Sequence, residues 1–314
     1  MSNNRTTKDY AGITARGVLM GAADAVPGVS GGTIAFMTGI YEELITSLKQ
    51  CSSAPKILIS QGIAATWKHI NGAFLLALFG GVIVSLITIS RLVVFLLDNY
   101  PALLWAFFFG LIAAGVWSVI RHIDRWSVPT IIAFIIGALG AFWITMISPT
   151  HIESTPLIVF FSGMIAICAM ILPGISGSFI LLLLGMYAPM MNAIKEFQLV
   201  TLSCFAAGCV AGLISFSHVL SWMFQHYKTQ TLALLGGFML GSLNKVWPWK
   251  ITIESVIDRH GKVIPLVQEN VLPHTFEANT QQPAYLLLTL GLITLGVLAV
   301  VLLERFGNKT TPQT

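Results

Sequence analysis

The chain has 314 residues, of which 55% are hydrophobic and 10% charged, and its formal net charge is +4. An average soluble domain carries roughly 25% charged residues, so the composition excludes an ordinary soluble fold, and a positive excess this small and scattered gives no support to nucleic-acid binding. The chain reads as an integral membrane protein.

In chain order, the first 30 residues lack the basic start, apolar middle and small-residue cleavage site of a secretory signal. Insertion is therefore expected to be directed by the first hydrophobic segments. Residues 11–47 contain two apolar stretches separated by "AVPGVSGGT". The first stretch, 11–26, reaches about 24 Å at about 1.5 Å per residue, short of a hydrocarbon core of about 30 Å. A re-entrant helical hairpin with its P-G-x-S-G tip at membrane depth is expected. Residues 50–71 read as an amphipathic surface insertion, and apolar spans follow at 72–97, 101–120 and 128–147. A second re-entrant hairpin is expected at 157–194, interrupted by "PGISGS", with spans at 199–222, 230–247 and 284–303. The outer loop 248–283 suggests a small β-hairpin turning at His260 and Gly261. Cys51, Cys168, Cys204 and Cys209 are scattered, without a C-x-x-C pair, and indicate neither a disulfide framework nor a metal site. No cofactor is implied.

The two halves are related. "PGVSGGTIAFMTGIYEELITSLK" (27–49) is echoed by "PGISGSFILLLLGMYAPMMNAIK" (173–195), pairing Gly39 with Gly185, Tyr41 with Tyr187 and Lys49 with Lys195 at an offset of 146. "LITISRLVVFLLDNY" (86–100) matches "LISFSHVLSWMFQHY" (213–227), pairing Arg91 with His218 and Tyr100 with Tyr227 at an offset of 127. The offsets differ by 19 residues, which the insertion 50–71 accounts for. The fold class expected is an all-α integral membrane protein built from two repeats, 1–155 and 156–314, each a re-entrant hairpin plus three transmembrane helices. An odd number of crossings per repeat inverts the second relative to the first, as in many secondary transporters.

Basic residues orient the chain. With the N-terminus inside, cytoplasmic segments hold Arg5, Lys8, Lys49, Lys56, Lys68, Arg121, Arg125, Lys228, Arg305 and Lys309. The outside holds Lys195, Lys245, Lys250, Arg259 and Lys262, mostly on the long loop, which counts weakly. Both termini are placed in the cytoplasm.

Backbone that leaves a helix inside a bilayer must find hydrogen-bond partners in protein, ligand or cavity water. Pro27 ends one half-helix and the next begins with up to four amides lacking intrahelical acceptors. Gly28, Gly31, Gly32, Gly174 and Gly177 leave such amides uncovered, and Ser30, Thr33, Ser176 and Ser178 add hydroxyl donors. With the helix dipole, each tip is equipped for an anion such as phosphate; the alternative is that the glycines serve helix packing. Charges at membrane depth also ask for a reason. Arg16 and Asp24, eight residues apart on nearly one helix face, either pair with each other or serve the site, Arg16 meeting phosphate and Asp24 taking a proton or orienting the tip. Arg91 is a further substrate-binding candidate unless it snorkels to the interface. Glu42 and His218 join Asp24 as proton-coupling candidates, the histidine because it titrates near neutral pH.

"GAADAVPGVSGGTIAFMTGIYEELI", "ILPGISGSFILLLLGMY" and the "WPW" at 247–249 together resemble the bacterial membrane family identified as undecaprenyl-phosphate translocases, the PopT group, over nearly the whole chain. The resemblance implies return of the C55 lipid carrier of cell-wall synthesis across the cytoplasmic membrane, with undecaprenyl phosphate as partner. It carries over to Asp24 through Thr33 and Pro173 through Ser178; Met170 stands where the first motif has Asp24, so the tips need not be equivalent. Two alternatives are a secondary transporter of a small soluble anion, which an inverted repeat allows equally, and an intramembrane lipid phosphatase. The second lacks a nucleophilic histidine in "SRLVVFLLD" and has no H-E-x-x-H. A homo-oligomeric assembly is left open.

Overall fold

The computed structural model describes residues 5–26, 28–123, 125–149, 152–257 and 263–307. The first half runs α1 (Thr7–Asp24), α2 (Gly31–Met37), α3 (Tyr41–Cys51), α4 (Ala54–His69), α5 (Gly72–Asn99), α6 (Pro101–Arg121) and α7 (Val128–Met146). The second runs α8 (Pro156–Ile171), α9 (Gly177–Leu183), α10 (Tyr187–Lys195), α11 (Leu199–His226) and α12 (Lys228–Ser242). An antiparallel pair, β1 (Lys250–Ile257) and β2 (Val263–Asn270), then α13 (Pro273–Thr280) and α14 (Leu286–Gly307) complete the chain. Among the described residues, α5, α6, α7 and α11 are each long and apolar enough to cross a bilayer. This is a multi-pass membrane protein.

Local chemistry sets the boundaries. Thr6 and Asp9 form a reciprocal capping box at the start of α1. Gly28 (φ 94°) and Gly174 (φ 90°) hold the left-handed backbone at the two tips, a region that costs glycine little. The α5–α6 and α11–α12 turns pivot on Tyr100 (φ −138°, ψ 52°) and Tyr227 (φ −137°, ψ 48°), the tyrosines that the repeat aligns.

The hairpins depart from the expected two-limbed form. After each tip the returning limb runs only seven residues, as α2 and α9, before a second break at Gly39 (φ 73°) and Gly185 (φ 68°). At that break α9 and α10 are bent by 107°. The expected span 230–247 is also corrected: α12 ends at Ser242 after 15 residues. The chain then tightens into turns, Lys245 N donating to Ser242 O and Val246 N to Leu243 O, ahead of Pro248, which cannot continue a helix. Residues 248–283 hold strands β1 and β2 as well as α13, so "all-α" needs that exception; His260 and Gly261 lie outside the described residues. The insertion folds as α4, kinked at Gly62 (φ 81°), with none of its residues buried.

Within each half the first helix packs on the first full-length span, α1 on α5 and α8 on α11, whereas α6 pairs with α14 and α7 with α12 across the halves. The crossing pairs are backbone-close. A Cβ on Gly110 would lie 2.0 Å from Ile293 O, and one on its aligned partner Gly237 would lie 2.1 Å from Phe134 O. Small residues of this kind let membrane helices approach closely. Gly237→Leu is expected to destabilise by about 1–3 kcal/mol, the scale of overpacking, and to lower the melting temperature in detergent. Gly140→Leu, where a Cβ would meet nothing within 4 Å, should leave it unchanged.

Candidate functional site

The two tips meet. Ser30 Oγ donates to Met170 O at 2.8 Å, and Gly174 N donates to Thr33 Oγ1 at 2.8 Å. Ser30 and Thr33 are fully buried. Thus Asp24, Gly28, Ser30, Gly31, Gly32, Thr33 and Gly174 come together in space, with Gly177 and Ser178 at the start of α9.

The amides at the start of α2 already have acceptors. Gly31 N donates to Asp24 Oδ1 at 2.7 Å, Gly32 N to Ser30 Oγ at 3.1 Å and Thr33 N to Ser30 O at 2.9 Å. The expected open cradle is therefore occupied at the first tip by the protein's own carboxylate, which takes the position at a helix N-terminus that favours negative charge. The second tip has no such carboxylate, since Met170 stands in that place. There Ser176 Oγ and Ser178 Oγ lie 2.7 Å apart, and the amides of Gly177, Ser178 and Phe179 have no acceptor among the described residues.

The remaining candidates are elsewhere. Arg16 is half-buried on α1 and forms no ion pair with Asp24 among the described residues, because the Asp24 carboxylate is turned to backbone. Arg91 is exposed on α5. His218 is exposed on α11, its Nδ1 2.8 Å from Ile214 O and its Nε2 3.5 Å from Ser52 Oγ. Glu42 is paired with Lys228 at 2.8 Å. None of the four joins the tips.

Beside the tips lies a cleft of about 420 Å³. Its walls are the end of α7 with the residues following it (Phe142 to Ser148), Phe179 of α9, Asn244 and Lys245 beyond α12, and the β-hairpin from Lys250 to Asn270. Lys245 bridges the tips: a Cβ on Gly28 would be 2.9 Å from Lys245 Cγ, while Lys245 Nζ lies 4.4 Å from the centroid of the Phe179 ring. Lys250 Nζ donates to Lys245 O and sits 3.7 Å from the Trp105 ring centroid. Asn270 Nδ2 donates to Asn244 O at 2.7 Å, and Asn244 Nδ2 to Thr145 Oγ1 at 2.7 Å, tying the hairpin to α7. The W-P-W segment anchors the same wall, Trp247 Nε1 donating to Val271 O at 2.9 Å and Trp249 Nε1 to Ala284 O at 3.0 Å.

Both lysines lie past the last residue of α12. Burial pushes Lys245 down to about 8, and burial reinforced by the charge of Lys245 holds Lys250 well below the ordinary lysine range. Burial thus disfavours the charged form of each, and a nearby anion would favour it. Sequence reasoning missed the pair by counting them as outer-loop charges. The signal was a departure from the repeat: at the offset of 127 their counterparts are Ser118 and Ile123.

A family profile described as undecaprenyl phosphate translocase-like matches residues 20–264, a stretch that includes both tips and both lysines. The chain belongs to this family. Two curated proteins related to this translocase-like chain are named polyprenyl-phosphate transporter. The one from Vibrio cholerae is 49% identical over 96% of this chain and 99% of its own length. The one from Staphylococcus aureus is 34% identical over 74% of this chain and 84% of its own. No solved structure matches this translocase-like chain.

Because Ser30 Oγ serves both Gly32 N and Met170 O, Ser30→Ala should lose a cap and strand a buried carbonyl. A destabilisation of about 1–3 kcal/mol is expected in a detergent melt, with Ser178→Ala, at a half-buried position, closer to the parent protein.

Proposed function

We propose that this protein translocates undecaprenyl phosphate across the bacterial cytoplasmic membrane, returning the lipid carrier for cell-envelope synthesis. The observation that carries the reading is the position of the cleft: Phe142 and Met146 line it and are also 45% and 63% exposed on the outer face of α7. That face continues through Ile132, Ile136 and Leu139, all exposed apolar residues. A headgroup in the cleft can thus leave its isoprenoid tail in lipid without burying a C55 chain in protein. The names of the curated relatives support the same substrate class, and nothing in the reading requires a bond to be made or broken.

Transport follows from alternating access of two inverted repeats, with both termini cytoplasmic. In that orientation the cleft, at the ends of α7 and α12, belongs to the outer side. The second tip, Gly174 through Ser178, whose leading amides are open and which borders the cleft through Phe179, completes the substrate-binding set, while the first tip, Asp24 through Thr33, supports it and is closed by its own carboxylate. Asp24, whose carboxylate holds the Gly31 amide, is the proton-coupling group, because protonation would weaken its hold on the first tip.

Purified protein in liposomes is expected to speed the exchange of a fluorescent polyprenyl phosphate between leaflets, with no release of phosphate. An imposed pH gradient should bias the flux, and Asp24→Asn should remove that bias. Uptake of soluble phosphate with no movement of the lipid would instead identify a soluble-anion transporter.

A further inference from the structure

We infer that Lys245 and Lys250 form the headgroup-binding pair of this protein, taking the dianion of a phosphate monoester in the cleft. The inference rests on the lipid-phosphate reading above and moves the main ionic contact from the tip amides to these two side chains.

Three observations converge on it. First, neither ammonium has a carboxylate within ion-pair distance among the described residues, although both are half-buried and Glu269 stands on the cleft wall. Uncompensated charge in a restricted environment is costly, and a bound anion would relieve both groups together. Second, the two are held differently. Lys250 is fixed by the Lys245 carbonyl and the Trp105 ring, whereas Lys245 Nζ has the face of Phe179. A cation–π contact is weaker than a charge-assisted hydrogen bond to phosphate, so Lys245 can exchange one for the other. Because its stem lies against Gly28 and its head over α9, that exchange would be felt by both tips.

Third, the surroundings fit one headgroup. Gln268 offers a neutral amide donor on the wall. A phosphate monoester carries about −1.5 to −2 charges at neutral pH, matching two cations, while the parent alcohol would leave both unpaired. Free phosphate shares the headgroup chemistry but has nothing to place against Phe142 and Met146.

Binding of undecaprenyl phosphate to the full chain in phosphatidylcholine nanodiscs tests this, with undecaprenol and inorganic phosphate as separate competitors. Lys245→Gln should lower affinity roughly tenfold to a hundredfold, as expected for the loss of a charged hydrogen bond, with an unchanged melting temperature without ligand. Lys245→Arg should restore most of the affinity. Lys250→Gln should weaken binding similarly, and Lys245 carries the decision if that variant fails to fold. Undiminished binding by Lys245→Gln would overturn the pair, and lipid exchange by the parent protein in vesicles would then still uphold translocation. Tight binding by the parent without any exchange would overturn translocation and leave the pair standing. Inorganic phosphate competing as strongly as the lipid would overturn the lipid assignment.

Discussion

A chain that breaks its helices inside a bilayer must satisfy the freed backbone groups from within the protein, and here two of those groups are satisfied across the halves. The bonds from Ser30 Oγ to Met170 O and from Gly174 N to Thr33 Oγ1 join one half of the sequence to the other. A carbonyl freed at the end of α8 and an amide freed at the second tip are thereby satisfied by side chains of the first tip. Neither tip can be displaced far alone, since each would leave polar groups of its partner in an apolar core.

That mutual dependence explains the inequality of the tips. Asp24 reaches the first amide of α2, and a tip capped by a carboxylate presents net negative character to anything approaching it. Met170 gives the second tip no equivalent, and Lys245 stands over its third helical residue, Phe179. Two related motifs therefore differ in how their leading amides are met, through a single side chain lying outside the shared P-G-x-S-G core.

Much of the architecture was legible because membrane helices announce themselves by length and composition. The four long spans and the paired tips follow from apolar runs and from Pro and Gly at matched offsets. The second breaks were less legible: Gly39 and Gly185 sit in the repeat alignment, but one glycine inside an apolar run does not reveal by itself whether it packs or turns. The early end of α12 was hidden because Val246 and Trp247 continue the hydrophobic pattern past Ser242 without continuing the helix. At the site, residue types predicted which backbone elements would meet. They did not predict that Asp24 would cap Gly31 in place of pairing with Arg16, because that choice depends on a turn folding the carboxylate back across seven residues. Nor could local pattern place Lys245 and Lys250 beside the tips, since the contact is made by a loop more than 65 residues downstream of the second motif.

If the lysines hold the headgroup, the β-hairpin and the W-P-W segment have a place in the working part of the molecule. An ammonium at the end of a short helix would ordinarily extend to water. Here two indole N–H bonds, from Trp247 to Val271 and from Trp249 to Ala284, tie the segment after α12 to the chain on either side of α13, and the Asn270–Asn244–Thr145 chain holds it to α7. The loop thus shields the lysines on one side while α7 leaves the other side open to lipid. A pair of basic side chains covered by a loop and flanked by an exposed apolar helix face suits an anion that arrives with an apolar tail.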